Sequence, residues 1–186
     1  MNDQERKLAA EHLRASRERL LGLVSDLTAE QWRFHPGQGR WSIADCLEHV
    51  TRVENRILGI IQTKTQDPPQ PVAPDIREKD SFLFQMVPDR TERRQAPEMA
   101  RPVGQWTDAR ELLTEFEKVR EATSRLAAET TADLRGYIHP HGAFGDLDCY
   151  QWLLLLGLHS ERHARQIEEV KADRAFPPAA MSAPSA

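Results

Sequence analysis

The sequence predicts an all-α fold, a four-helix bundle. Three observations carry this prediction. Four segments place apolar residues three and four apart, the spacing that lines one face of a helix. No segment alternates apolar and polar residues in the manner of a half-buried strand. Breaks rich in glycine, proline and capping residues separate the helical segments. Four amphipathic helices in a chain of 186 residues bury their stripes most simply against one another.

The first helix, about residues 3 to 26, carries Leu13, Leu20, Leu23 and Val24 at helical intervals, with Leu27 just beyond. "TAEQW" (28–32) predicts a short helical turn in which Thr28 and Gln31 form a capping box. After the turn-rich "HPGQGRW", Ser42 and Asp45 make a second such box and open the second long helix. Its stripe is Ile43, Leu47, Val50, Ile57 and Ile61, fading near Lys64. Residues 66–106 hold seven of the twelve prolines and form a long Pro-rich connection between helices 2 and 3. Forty residues of bare loop would be unusual in a compact domain, so "IREKDSFLFQMV" is expected to form a short helix across the bundle. Thr107 is the expected cap of the third helix, about 108–129, with Leu112, Phe116, Val119 and Leu126 inward. "RGYIHPHGAFG" breaks the chain again, and Asp146 is the expected cap of the last helix, about 147–172. A single domain over 1–175 follows, with a disordered Pro/Ala/Ser-rich tail over 176–186.

Hydrophobic residues at 39% and charged residues at 29% mark a globular chain. A net charge of −4 argues against a nucleic-acid partner, whose surface calls for a basic protein. No apolar run approaches the ~20 residues of a membrane span, and the charged start "MNDQERKLAAEHLRASRERL" lacks the apolar core of a signal peptide. Cys46 and Cys149 lie in separate segments and are expected to be reduced and buried. These readings place the protein in a cytoplasm, of bacterial type.

The chemistry is concentrated in "WLLLLGLHSERHARQIEEV" (152–170). Residues four apart share a helix face, so His159 and His163 point the same way, together with Trp152, Leu155, Leu156, Gln166, Ile167 and Val170. The pair therefore lies on the core stripe. An imidazole nitrogen buried without a partner costs about 1–3 kcal/mol, and protonating both rings would set like charges together. A divalent cation answers both problems by taking one nitrogen from each ring. His49, beside Cys46, Val50 and Val53 on the second helix, lies at a depth where it can join them. His12, His35, His139 and His141 are less well placed, near a helix start or in breaks. By itself H-x-x-x-H is common, and often marks surface or core histidines.

The pattern is not the metalloprotease H-E-x-x-H. Glu161 stands about 200° around the helix from His159 and should face solvent. Gln166 keeps to the histidine face, where it could orient a water or a ring, or simply be a satisfied core amide. Trp152 lies on the same face and either lines a pocket or packs in the core; Arg162 is close enough to that face to touch an anionic ligand. Glu48 and Asp45 flank His49, where they could support the ligand ring, though helix-surface and capping roles are expected first. The catalytic residues are otherwise unassigned. There is no Gly-rich phosphate loop, C-x-x-C pair or G-x-S-x-G elbow.

"GRWSIADCLEHVTRVE" (39–54), "RPVGQW" (101–106) and "HPHGAFGDLDCYQWLLLLGLHSERHARQIEEV" (139–170) resemble the DinB-like superfamily of four-helix bundles, also called YfiT-like metal-dependent hydrolases. The likeness spans essentially the whole chain except the tail. It implies a divalent metal held by a histidine of the second helix and an H-x-x-x-H pair of the last, which correspond here to His49, His159 and His163. Relatives of this kind include thiol-dependent S-transferases, a thiol-dependent isomerase and a metal-binding domain of sulfoxide-forming iron enzymes. Zinc or nickel is the expected ion, and iron or manganese also suits three neutral imidazoles.

Two functions follow. The first is an enzyme, a hydrolase or thiol S-transferase of detoxification type. Its three-histidine site would activate water or a low-molecular-weight thiol against a small-molecule substrate. The alternative is a non-catalytic module, metal-stabilised, working through ligand binding or homodimer contacts. A fourth protein ligand would mark the second, an open coordination sphere the first. A redox pairing of Cys46 with Cys149 requires their Cα atoms to come within about 7 Å.

Overall fold

The computed structural model describes residues 1–92 and 94–179. Among the described residues six α-helices form: α1 (Asp3–Val24), α2 (Ala29–Arg33), α3 (Ile43–Lys64), α4 (Lys79–Met86), α5 (Ala109–Glu129) and α6 (Cys149–Lys171). The four long ones make the bundle, and each packs on two neighbours: α1 on α6 and α5, α3 on α6 and α5. Residue pairings fix their directions. Arg19 meets Glu161 and Glu168, and Lys171 donates to the Leu23 carbonyl, so α1 and α6 run parallel. Arg6 reaches the Ala127 carbonyl and Arg17 meets Glu117, so α1 and α5 are antiparallel. The start of α3 shares a core cluster with the end of α6 and the start of α5, which makes α3 and α5 parallel neighbours. Parallel neighbours cannot be joined by a tight turn. That is the physical reason for the long connection between α3 and α5. The short helix expected within it forms as α4 and packs on α6.

Local chemistry sets the helix starts. The Thr28/Gln31 and Ser42/Asp45 capping boxes both form. The last two starts differ from expectation. Asp108, not Thr107, caps α5, and Asp148, not Asp146, caps α6 in a box with Gln151. In each case a carboxylate one or two residues further on accepts the first free N–H groups. The break before α6 contains a two-stranded antiparallel hairpin, β1 (Ile138–His141) and β2 (Gly145–Asp148), in an otherwise helical fold. Its Gly145 has φ +67°, a left-handed conformation that favours glycine. The tail begins with Phe176 edge-on to Phe34 and with the Pro177 carbonyl accepting from Gln31; residues 180–186 lie outside the described residues.

α6 is the central helix, buried on almost every side through its first three turns. α1 comes so close that a Cβ on Gly157 would lie 3.0 Å from the His12 Cβ and 3.2 Å from its backbone. At the middle of the bundle Arg120 of α5 is fully buried. It forms a fork with Glu54 of α3 (2.7 Å twice) and donates to Ser160 of α6 (2.7 Å), Ser16 (2.8 Å) and the Leu13 carbonyl of α1 (2.7 Å). All four long helices meet at this one guanidinium. Nearer the α6 start, Arg135 binds Glu5, Asp80 and Asp148 and lies 4.1 Å from the Tyr150 ring centre.

A buried pair that loses one member leaves a charge unpaired, at a cost of about 3–5 kcal/mol. Arg120→Met should lose that much in urea unfolding, as should Glu54→Leu. The Arg120→Met/Glu54→Leu double variant should lose less than either alone. Additive losses would show that the two side chains act independently.

Candidate metal centre

His159 and His163 sit one turn apart on α6, and α3 crosses antiparallel to bring His49 to them. The His159 Nε2 lies 3.1 Å from the His49 Nε2 and 3.2 Å from the His163 Nε2. One ring nitrogen from each residue lies within 4.8 Å of the others. His49 and His163 are buried, and His159 is the partly exposed member.

The tautomer of His49 follows from its neighbour. Its Nδ1 lies 2.5 Å from the Ala100 carbonyl, which can only accept, so Nδ1 carries the proton and Nε2 presents its lone pair to the cluster. Ala100 is itself held in place. The Glu48 carboxylate accepts the N–H groups of Val103 (2.8 Å), Gly104 (3.0 Å) and Gln105 (3.4 Å). Gly104, at φ +71°, gives the backbone the left-handed turn that aims these donors together. Arg52 holds the same loop through the Met99 carbonyl (3.3 Å) and the Gln105 amide oxygen (3.2 Å). Residues 98–105 are thus fastened to α3 on both sides of His49.

Burial favours the neutral rings. It lowers the pKa of His49, against a smaller opposing effect of the Ala100 hydrogen bond. It takes His159 and His163 well below the ordinary histidine value, with the neighbouring imidazoles adding to the effect. Neutral rings leave their lone pairs free for a cation. Trp41 covers the other side, stacked on His163 at 5.9 Å and tilted against His49 at 4.8 Å between ring centres.

The other expected residues fall as follows. Gln166 accepts from Arg90 (3.1 Å). Trp152 donates to the His139 carbonyl (3.0 Å) and its ring lies 5.0 Å from that of His141. Arg162 donates to the Glu92 carbonyl (3.0 Å), while its Nη1 is buried with no partner among the described residues. Glu161 pairs with Arg19 and Arg165. Asp45 closes the Ser42 capping box of α3 and takes His35 at 2.9 Å. Glu48 departs from the surface or capping role expected first and takes the supporting one: it is buried and anchors the loop that carries Ala100. Cys46 and Cys149 are both free thiols, and burial raises their pKa, that of Cys149 to about 12.

His141 gains a place that its position in a break did not indicate. The hairpin carries it onto Trp152 and Phe144, and its Nδ1 accepts the N–H groups of Ala143 (3.1 Å) and Phe144 (3.2 Å). Its proton therefore sits on Nε2. The sequence signal was the glycine-flanked "HGAFG", a hairpin turn read as a plain break.

The sequence model of the DinB superfamily matches residues 12–167. The chain belongs to the DinB superfamily. The uncharacterized protein YuaE of Bacillus subtilis is 25% identical over 148 residues, covering 80% of this chain and 88% of YuaE. The fold is similar to that of YfiT from Bacillus subtilis, described as "a probable metal-dependent hydrolase with an unusual four-helix bundle topology". That likeness has a TM-score of 0.64 and 12% identity, and covers 95% of this chain and 91% of YfiT. Among the described residues of this DinB member, no helix is long and apolar enough to cross a membrane.

Glu48→Gln tests the loop anchor. One oxygen of the carboxylate becomes an NH2 group that cannot accept from the loop. Amide exchange over 98–105 should rise by about tenfold or more, the factor for each 1.4 kcal/mol lost. Imidazole nitrogen shifts should show His49 drifting from its single tautomer. Unchanged exchange would mean that the loop is held by other contacts.

Proposed function

We infer that this protein is a metal-dependent enzyme that makes water or a low-molecular-weight thiol nucleophilic toward a small-molecule electrophile. The observation that carries this reading is the convergence of the His49, His159 and His163 Nε2 atoms at separations of 3.1 and 3.2 Å. Bonds of roughly 2.0–2.2 Å to a shared ion bring neighbouring donor nitrogens to about this spacing. Without a cation the triad is poorly satisfied. The His49 Nε2 has no proton to give, and the one proton His159 can place on Nε2 serves one neighbour at best. The donor set fits zinc or nickel, and iron or manganese is compatible with it.

Among the described residues no fourth His, Cys, Asp or Glu joins the three. An open coordination sphere is the mark of a catalytic site, which favours an enzyme over a metal-stapled binding module. A divalent ion bound there supplies Lewis acidity near neutral pH. The chain's own residues do the rest. α6 sets two rings at fixed spacing, the Ala100 carbonyl holds the lone pair of His49 inward, and Trp41 shields the His49–His163 side. Trp152 lies on the α6 face leading to His159, and His141 of β1 packs against it. A thiol reaction asks least of this arrangement, because the thiolate attacks directly and needs no separate proton acceptor to remain in place.

Metal analysis tests the reading. Untagged protein dialysed against zinc or nickel should retain about one ion per chain, as three imidazoles around one point imply. The His159→Ala/His163→Ala variant, checked for helix content, should retain none. Equal metal in both would remove the reading. Hydrolysis and thiol-transfer screens on the loaded protein then separate the two reactions.

A further inference from the structure

We propose that the partly exposed side of the histidine cluster is a receptor for an oxyanion, the carboxylate, phosphate or sulfonate head of a small-molecule ligand, built from Arg162, Arg94 and the Nε2–H of His141. The proposal names the substrate class for the reaction centre inferred above, and rests on that reading.

The three donors form a connected arc around His159. Arg162 follows it by three residues on α6, on the same side of the helix, and adjoins His163. The Arg94 guanidinium lies 5.9 Å from the Phe144 ring centre. Phe144 stacks on His141 at 4.6 Å and 18°, and His141 leans on Trp152, two turns before His159 on α6. The arc closes through the chain: Arg162 donates to the Glu92 carbonyl (3.0 Å), two residues before Arg94.

This arc carries unspent hydrogen-bonding capacity. Arg162 is only 8% exposed, yet its Nη1 has no acceptor among the described residues. A buried guanidinium N–H without an acceptor is a state folded chains avoid unless something else supplies one. Neither Arg162 nor Arg94 forms an ion pair among the described residues. The nearby carboxylates offset part of this charge but are engaged elsewhere. Glu169 gives both oxygens to Arg90, and Asp89 accepts from the Thr91 amide and hydroxyl. His141, with Nδ1 committed to the hairpin backbone, has only a donor to offer. Two guanidinium groups and an imidazole N–H suit an oxyanion and nothing cationic. The faces of Trp152 and Phe144 beside them suit an apolar or aromatic body attached to that head.

Calorimetric titration of metal-free protein with sulfate, and separately with benzoate, at fixed ionic strength tests this. The two probes distinguish a tetrahedral head from a planar carboxylate with an aromatic body. At least one should bind saturably at one site per chain. Arg162→Gln and Arg94→Gln should each weaken it about tenfold or more. Arg14→Gln, on the solvated face of α1, should leave it unchanged. Should Arg162→Gln fail to fold, Arg94→Gln decides, since Arg94 lies exposed in a connection. Absence of saturable binding for both anions overturns the receptor, as does full wild-type affinity in the folded arginine variants. Metal uptake by the same preparation is read separately, so loss of the reaction-centre reading and loss of the receptor are different results.

Discussion

The fork between Arg120 and Glu54 is the contact on which the arrangement of the bundle turns. A guanidinium has five N–H donors in a fixed plane, and burying it is tolerable only when those donors find acceptors. Here the acceptors come from three other helices, two oxygens from α3, a hydroxyl and a carbonyl from α1 and a hydroxyl from α6. Sliding any helix by one turn would strand several of them. Apolar stripes alone tolerate such slips far better, because leucine against leucine has little directional preference. The polar centre thus supplies register where the greasy layers on either side supply cohesion.

Register matters because the histidines sit next to that centre. Ser160, which accepts from Arg120, is the neighbour of His159, and Glu54 lies five residues beyond His49 on α3. α3 therefore faces two ways within two turns. One face pairs inward with Arg120, while Glu48 and Arg52 grip the loop that carries Ala100. The loop in turn fixes which nitrogen of His49 bears the proton. A chain of directional contacts runs from the bundle core through α3 to a single lone pair.

Much of this was legible in the amino-acid order, for identifiable reasons. Long helices declare themselves through repeated apolar spacing, and the Thr28/Gln31 and Ser42/Asp45 boxes through residues three apart. The caps of α5 and α6 were misplaced by one and two positions because "TDA" and "DLD" each offer more than one capping side chain. The hairpin is hard to see in the sequence because four residues containing Pro140 show no usable alternation. The meeting of the three rings could be anticipated from two histidines on one stripe and a third on another. The contribution of Ala100 could not, since a backbone carbonyl has no signature in sequence. Arg120 and Glu54 did leave a trace. Glu54 interrupts the stripe between Val50 and Ile57, and Arg120 follows Phe116 and Val119. Opposite charges at core positions of two helices are a pair waiting to be matched.

The nitrogens of His49 and His159 meet across 110 residues of chain. Small zinc modules gather their ligands locally, so the ion can nucleate their folding. Nothing comparable is open to a chain whose donors stand on its second and last long helices. An ion held between them would have to wait until α6 has emerged and docked. For such a site folding would precede loading, an order set by the distance along the chain between two histidines.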